Sequence, residues 1–419
     1  MGKILTVFET AFRYGWCGST ARILDMAKAL KDHNWEFTLL TGPTGRGQMA
    51  HEQEAVLDGH VIRAPISWPY PALVNRRIPR RIYREWLDIT GRARRYRDPE
   101  HGWPPKAAEW YLQNVDKSPD VVMGMSTGQV GNFVTARILA DHYQVPLILE
   151  FQDPCPSLEV KYVPMEEEAA LNLSMSKADL VVTTTRGLAE DICERFPHIS
   201  ESVVPLYMCY NDDNPAPINL RINNKVRILH AGMLYGAKGR NVRIVVRALA
   251  KAVESMGGIR DTVRLELLGS GPGGVEAKRL AVALGVGELV NVYPEVPMHE
   301  SLVAMNSADV LLLVKHAEHI YDNQIPGKLF QYIGTGKKIM GVMSPGTEAA
   351  EILRKSGLGS IYDHADLIGM TKFIEEIGQE NAPEQVQPNW DYIKLFSRST
   401  MGRQFHDSLQ LLMSRGPTK

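Results

Sequence analysis

The segment Asn323-Gln-Ile-Pro-Gly-Lys-Leu-Phe-Gln-Tyr-Ile-Gly-Thr-Gly-Lys-Lys-Ile339 predicts a short helix between a loop and a strand. Pro326 suits the first turn of a helix, because its missing N–H would have no hydrogen-bond partner there. The apolar residues that follow recur at helical spacing, and Gly334 and Gly336 then end the helix. Residues 338–342 are apolar enough for a buried strand. A helix that follows a loop in an α/β repeat is either one more crossover helix or a helix whose N-terminus binds an anion.

The composition is that of an ordinary globular protein with more than one domain. A chain of 419 residues is too long for a single core, and 44% hydrophobic with 23% charged residues fits a folded, soluble protein. The formal charge of −1 gives no general attraction to nucleic acid. No apolar run approaches the roughly 20 residues that cross a bilayer. The four cysteines show no spacing typical of zinc, which favours the reducing cytoplasm and no resident metal.

Apolar runs alternate with amphipathic segments in the first half of the chain, as in a Rossmann-like unit. The run at 4–8 precedes a glycine-rich loop with Gly15, Gly18 and Ser19, and then a helix that Ser19 or Thr20 would cap. Such a loop lies at the carboxyl end of its strand, where open parallel sheets bind ligands. The alternative is a tight turn that merely requires glycine.

The second half begins a similar pattern with a more informative loop. A strand at 226–231 runs into Gly232, and the loop beyond it ends in two cations, Lys238 and Arg240, before a long helix. Backbone N–H groups in a glycine-punctuated loop, together with cations, suit a diphosphate. A plain turn would explain the glycines but not the paired cations. The next strand begins at residue 265 and runs into a loop that holds Gly269, Gly271, Gly273 and Gly274.

Residues 326–337, Pro-Gly-Lys-Leu-Phe-Gln-Tyr-Ile-Gly-Thr-Gly-Lys, resemble the donor-binding signature of glycosyltransferase family 4. That signature usually reads Pro-x-Lys-Leu/Phe-x-Glu-Tyr-x-Ala-x-Gly-Lys/Arg-Pro. The resemblance covers nearly the whole chain, most strongly residues 225–362, and implies the GT-B fold, in which two Rossmann-like parallel-sheet domains face each other across a cleft. It implies an acceptor-side domain over 1–212, a nucleotide-sugar-binding domain over 213–389, and a C-terminal helix over 390–419 that crosses back to the first domain.

The resemblance also implies roles for particular residues. Lys238 and Arg240 would neutralise the leaving group, and Asp153 would either hold an acceptor hydroxyl or simply initiate a turn. The loop with Gly15, Gly18 and Ser19 would contact the acceptor or the diphosphate. The donor-binding residues would be Gly232, Gly269, Gly271, Val296, Asn323, Ile325, Pro326, Gly327, Lys328 and Gln331.

The implied activity is transfer of a sugar from a UDP- or GDP-linked donor to an acceptor hydroxyl, with retention and without metal or other cofactor. The acceptor would be a sugar, a lipid-linked molecule or a small molecule. Asn323 and Gln331 stand where the family usually has two glutamates, and Met233 stands where it often has arginine. A carboxylate base is therefore missing at this pair. Front-side attack, in which the departing phosphate takes the proton, needs no such base and stays compatible with the sequence. Two alternatives are a nucleotide-sugar epimerase and a catalytically silent binding subunit that partners another transferase.

A strongly basic segment runs from Arg76 to Arg97. Nine arginines lie there against only Glu85 and Asp88, and Trp86 adds an apolar side chain. Such a segment suits an anionic membrane surface or a phosphorylated, lipid-linked acceptor, although a charge-rich stretch is also typical of a solvated face. The sequence thus predicts a cytoplasmic protein with peripheral contact at the inner face of the membrane.

Overall fold

A computed structural model describes residues 1–11, 18–42, 54–65, 103–155, 165–212, 225–236, 239–379 and 386–415. The chain forms two compact units, one of Met1–Met208 with Arg398–Lys419 and the other of Cys209–Ser397. The division thus falls between Met208 and Cys209 and again at Ser397, whereas the sequence pattern placed it after residue 212 and at 390. None of the helices in the described ranges is both long and apolar enough to pass through a membrane.

The first unit contains a seven-stranded parallel sheet in the order β3-β2-β1-β4-β5-β6-β7. Its strands are β1 (Gly2–Val7), β2 (Trp35–Thr41), β3 (Val61–Arg63), β4 (Val121–Ser126), β5 (Leu147–Phe151), β6 (Leu180–Thr183) and β7 (Val203–Pro205). Its helices are α1 (Gly18–Lys31), α2 (Trp103–Asn114), α3 (Gly131–Tyr143), α4 (Met165–Met175), α5 (Arg186–Arg195) and the 3₁₀ turn Pro197–Ser202. The central strands are mostly apolar on both faces, because helices cover each side of a parallel sheet.

The second unit contains a six-stranded parallel sheet in the order β10-β9-β8-β11-β12-β13. Its strands are β8 (Val226–Ala231), β9 (Val263–Leu268), β10 (Val290–Tyr293), β11 (Val310–Val314), β12 (Lys338–Val342) and β13 (Gly359–Tyr362). Its helices are α6 (Arg243–Ser255), α7 (Ile259–Thr262), α8 (Gly271–Ala283), α9 (Met298–Ser307), α10 (Lys328–Ile333), α11 (Glu348–Lys355), α12 (Leu367–Gln379) and α13 (Trp390–Ile393). The 3₁₀ turns are Gly287–Leu289, His319–Tyr321 and Lys394–Phe396.

The terminal helix α14 (Arg398–Arg415) belongs to the first unit. Gly402 lies so close to α1 that a Cβ there would meet the Cβ of Ala29 at 2.8 Å. The indole of Trp35 donates a hydrogen bond to Nδ1 of His406 at 3.1 Å. The C-terminal helix expected over 390–419 is interrupted at Ser397, where the chain passes from one unit to the other.

Each sheet reverses its strand order once, between β1 and β4 in the first and between β8 and β11 in the second. The ladder between β8 and β11 consists of the pairs Ile228 with Val310 and Leu229 with Leu311, so the two strands are unpaired toward their carboxyl ends. Open parallel sheets bind ligands in the crevice at such a reversal. The second sheet therefore places its candidate site beyond the ends of β8 and β11.

Three local expectations are corrected by the structure. Helix α1 begins at Gly18, so Ser19 and Thr20 lie inside its first turn rather than capping it. Gly273 and Gly274 belong to α8 rather than to a loop, because they accept the close approach of Leu234 and Ser270. Helix α10 has only six residues and begins at Lys328, two residues later than predicted. Since its dipole is correspondingly small, attraction for an anion rests on side chains.

Candidate functional site

Lys328 lies directly over Gly232 at the end of β8. Gly232 has φ +115°, and a Cβ built on it would overlap the ammonium and Cε of Lys328. The Gly232 N–H donates to the carbonyl of Leu268 at 2.7 Å, which ties this residue to the end of β9. Only glycine combines this backbone conformation with this contact. The glycine after β8 and the lysine at the start of α10 thus form one structural element.

Arg240 adds a second cation to the same place. Its guanidinium lies over the ring of Tyr235 at 5.7 Å, and its carbonyl accepts a hydrogen bond from the Tyr235 N–H at 3.1 Å. The buried Nε of Arg240 has no hydrogen-bond partner in the described part of the chain. After burial, repulsion by Arg240 is the second cause that lowers the pKa of Lys328.

The charges of this cluster are not balanced by carboxylates. Across the described ranges, no Asp or Glu forms an ion pair with Lys328 or Arg240. Burial, and then repulsion by Arg240, lowers the pKa of Lys328 to about 8. A lysine with this pKa holds its proton less firmly than usual at neutral pH. A bound anion would favour the charged form of Lys328 and relieve the repulsion.

His230 is a buried, neutral histidine beside these cations. Its Nδ1 lies 2.8 Å from the carbonyl of Leu312, and since a carbonyl only accepts, Nδ1 carries the proton. Burial, followed by repulsion from Lys328 and Arg240, lowers the pKa of His230 to about 3, against the opposing effect of backbone hydrogen bonds. His230 therefore donates a hydrogen bond to the Leu312 carbonyl beyond the end of the ladder between β8 and β11, and it contributes no charge.

The glycines after β9 adjoin the same site. Gly269 and Gly271 have φ +62° and +54°, and a Cβ on Gly271 would meet the sulfur of Met233 at 2.5 Å. Leu234 joins the two loops, because its N–H donates to the Ser270 carbonyl at 3.2 Å and its carbonyl accepts from Gly273 at 3.1 Å. The loops after β8 and β9 thus form a continuous glycine-rich rim.

The remaining predicted donor residues lie around this rim in the second unit. A Cβ on Gly269 would lie 3.5 Å from Cα of Glu295, which places the half-buried Val296 next to that glycine. Gln331 lies three residues after Lys328 on α10, and residues at this spacing share one helix face. The loop that precedes α10 holds the half-buried Asn323, Ile325 and Gly327 and the buried Pro326.

Other predicted residues lie elsewhere. Lys238 and Gly15 fall outside the described residues, as does the basic segment from Arg76 to Arg97. Gly18 and Ser19 begin α1, and Asp153 follows β5, so these three residues belong to the first unit. The described residues contain no cluster of three or more His, Cys, Asp or Glu side chains that could hold a metal ion.

Two buried polar residues in or beside the site were not recognised as functional from the sequence. His230 follows the apolar pair Ile228-Leu229 one residue before the end of β8, and Lys315 follows the fully buried strand β11. A polar side chain at the end of a buried strand was the available signal, because such residues are seldom buried without a partner. Their partners, Leu312 and Asp322, are visible only in the folded chain.

Gly232→Ala is expected to weaken anion binding by displacing Lys328. The new methyl group occupies the position of the lysine side chain, and the positive φ adds strain of about 1–2 kcal/mol. Gly285→Ala is the matched control, because Gly285 also has a positive φ, +71°, but has no atoms within 4 Å of the new Cβ. Binding of nucleoside diphosphate by titration calorimetry, with thermal unfolding of both variants, checks this expectation. Equal affinities in the two variants would contradict it.

Residues 18–206 match a family model described as a glycosyl transferase 4-like domain. This part of the chain is a glycosyl transferase 4-like domain. No curated protein matches the chain in sequence. The predicted membership of this glycosyltransferase family is thereby confirmed, and it rests on the first unit.

Solved structures match both units of the chain. A glycosyltransferase from Rickettsia africae superposes with a TM-score of 0.67 at 12% identity, over 98% of each chain. The lipopolysaccharide outer core galactosyltransferase WaaB, in its apo form, gives 0.62 at 14% identity, over 98% of this chain and 99% of that one. A putative UDP-N-acetylglucosamine 2-epimerase from Listeria monocytogenes gives 0.56 at 13% identity, over 99% and 97%. At these identities the likeness shows the fold alone, and the predicted GT-B architecture is confirmed.

Proposed function

We propose that this GT-B protein transfers a sugar from a nucleoside diphosphate sugar to an acceptor hydroxyl, with retention of configuration. The observation that carries the proposal is the pair of cations, Lys328 and Arg240, held without a carboxylate partner beyond the end of β8. Two like charges in a partly buried site destabilise each other unless an anion lies between or beside them. A diphosphate supplies that anion.

The surroundings of the two cations favour a diphosphate over a single carboxylate. Gly232, Gly269 and Gly271 line the rim without side chains, which lets the phosphates approach the backbone closely. The neutral His230 keeps the floor of the site free of a further charge. The proposed ligand therefore has two anionic groups and a narrow profile, as the diphosphate of a nucleotide sugar has.

The proposed reaction depends mainly on stabilising the leaving group. The bond between the anomeric carbon and the diphosphate oxygen breaks, the acceptor oxygen bonds to that carbon, and the acceptor proton passes to the departing phosphate. Lys328 and Arg240 stabilise the negative charge that develops on the diphosphate. Asn323 and Gln331 are neutral amides, so neither acts as the base. Because these two side chains stabilise the charge on the diphosphate, the proposal includes no metal.

The comparisons support the class of substrate. One structural neighbour is named a galactosyltransferase, and another is named as an epimerase of UDP-N-acetylglucosamine, so both names refer to sugar chemistry. We infer a UDP- or GDP-linked donor and an acceptor that is a sugar, a lipid-linked molecule or a small molecule, within glycan, glycolipid or glycoside biosynthesis. A cytoplasmic setting, with the segment from Arg76 to Arg97 at a membrane surface, remains part of this proposal.

Incubation with single nucleotide sugars tests the proposed reaction. UDP-glucose, UDP-galactose, UDP-N-acetylglucosamine and GDP-mannose are supplied without acceptor, and released diphosphate and sugar epimers are followed by chromatography and NMR. Slow release of nucleoside diphosphate with an unchanged sugar is expected of a transferase. An accumulating epimer would identify an epimerase, and neither product from any bound donor would identify a silent binding subunit. With an acceptor, NMR of the product determines whether the configuration is retained.

Gln331→Glu is expected to tighten donor binding. We place Gln331 near the ribose, and a carboxylate accepts stronger hydrogen bonds from hydroxyls than an amide oxygen does, by roughly 1 kcal/mol. The comparison uses the same nucleoside diphosphate with ribose and with deoxyribose, measured by calorimetry against the wild type and Gln331→Glu. The gain in affinity is expected to be larger for the ribose form than for the deoxyribose form. An equal gain for both forms would show that residue 331 does not contact the ribose.

A further inference from the structure

Lys315 is a buried lysine that the proposed diphosphate site does not use. It follows β11 directly, its N–H donates to the Val342 carbonyl at 3.0 Å, and its side chain is 2% exposed. Burial and the nearby Arg240 lower the pKa of its ammonium, whereas Asp322 raises it. Lysine is almost never fully buried without a partner. The partner of Lys315 therefore indicates what the residue does.

The partner of Lys315 is the loop of residues 316–327 that immediately follows it. The ammonium donates to the backbone carbonyl of Asp322 at 2.8 Å and lies 3.7 Å from its carboxylate. The same carboxylate lies 2.9 Å from Nδ1 of the exposed His319. The ring of Tyr321 contacts that of His316, with centroids 4.3 Å apart. The loop is thus folded back onto the end of β11 around the lysine ammonium.

This loop leads straight to the diphosphate site. It begins at Lys315 and ends at Gly327, next to the Lys328 that lies over Gly232. Residue 322 is held by the buried ammonium, and Asn323 follows it. The position of the loop on one side of the diphosphate site therefore depends on the hydrogen bond from Lys315. A loop of this kind without such a bond would sample other conformations.

We propose that Lys315 is a positioning residue that holds the loop of residues 316–327 in the shape that receives the donor sugar. This rests on the proposed function, because it places the diphosphate at Gly232 and Lys328. In a nucleoside diphosphate sugar the nucleoside and the sugar extend from opposite ends of the diphosphate. The rim after β8 and β9 is glycine-rich, whereas the loop after β11 offers polar groups at His316, Asn323 and Gln324. A sugar with several hydroxyls requires the polar side.

The test compares binding of a nucleoside diphosphate with that of its sugar conjugate in Lys315→Met. UDP and GDP are titrated by calorimetry, followed by whichever sugar conjugate the wild type binds among UDP-glucose, UDP-galactose, UDP-N-acetylglucosamine and GDP-mannose. Affinity for the diphosphate alone is expected to stay within about twofold, and affinity for the conjugate is expected to fall about tenfold or more, as for a lost charged hydrogen bond. Retained diphosphate binding also shows that the second unit is folded.

Asp322→Asn is the matched control. It keeps the backbone carbonyl that accepts from Lys315 and removes only the carboxylate, which lies 3.7 Å from the Lys315 ammonium and 2.9 Å from Nδ1 of His319. Its loss of affinity for the conjugate is therefore expected to be smaller than that of Lys315→Met. If Lys315→Met does not fold, Lys315→Gln, which is polar but too short to reach residue 322, provides the same comparison. Equal losses for diphosphate and conjugate, or no loss for either, would overturn the positioning role. Failure of the wild type to bind any diphosphate would instead overturn the proposed function.

Discussion

Replacing both Lys328 and Arg240 by alanine is expected to abolish most of the affinity for nucleoside diphosphate while leaving affinity for the nucleoside unchanged. Each cation can form a charge-assisted hydrogen bond with the phosphates, so each single variant is expected to lose about tenfold to a hundredfold and the pair about a thousandfold. The nucleoside lacks the phosphates and is expected to bind alike in all variants. Titration calorimetry with UDP and uridine, or with GDP and guanosine, measures both affinities for the wild type and for each variant.

The matched control for this pair is Arg247→Ala with Lys355→Ala. Arg247 is an exposed residue on α6, and Lys355 forms an exposed ion pair with Glu351 on α11. These changes remove the same number and kinds of charge from the second unit, so they report any general effect of net charge. The assignment of Lys328 and Arg240 fails if diphosphate and nucleoside lose affinity equally, or if the control pair loses as much as the site pair.

The affinity for nucleoside diphosphate is expected to fall as the pH rises through about 8. Burial and the charge of Arg240 lower the pKa of Lys328 to this value. The sign follows from the charge of lysine. Below this pKa Lys328 carries its proton and attracts phosphate, and above it the free protein must first take up a proton. The second phosphate ionisation lies near pH 6 and is complete in this range. Between about pH 7 and about pH 9 the affinity is therefore expected to fall about tenfold.

Two variants separate Lys328 from other titrating groups. Lys328→Arg keeps its charge throughout this range, so its affinity is expected to be nearly independent of pH. Arg240→Ala removes the repulsion that lowers the pKa of Lys328, so its decline is expected to begin at a higher pH than in the wild type. Calorimetry in buffers of different ionisation enthalpy also counts the protons taken up. A flat wild-type profile, or one that Lys328→Arg leaves unchanged, would exclude Lys328 as the titrating contact.

The alternation of strands and helices could be predicted from the sequence because it depends on local patterns. Apolar runs such as those at residues 4–8 and 338–342 are typical of buried strands, and β1 and β12 lie close to where these runs predict them. The glycine after β8 and the lysine at the start of α10 were also recognised as site residues. Both depend on residue type at a strand or helix end, which is visible without knowledge of the fold.

Helix boundaries were less predictable because contacts from distant segments determine them. Gly273 and Gly274 look like loop residues, yet the approach of Leu234 and Ser270 draws them into α8. The C-terminal helical pattern continues past Ser397, but the packing of Gly402 against Ala29 assigns the last helix to the first unit. Periodicity indicates that a helix exists, whereas tertiary contacts decide where it ends and which unit it joins.

The sequence by itself determined the fold class, the glycine-rich strand ends and the presence of cations near them, since each of these follows from residue type and spacing. Only the tertiary structure decided which cations meet: Lys328 comes to lie over Gly232 because β8 and β11 are neighbours in the sheet. It also decided that His230 is neutral and that Lys315 bonds to Asp322. Burial and the distances between charges set the pKa of a group, and both arise only when remote segments pack together.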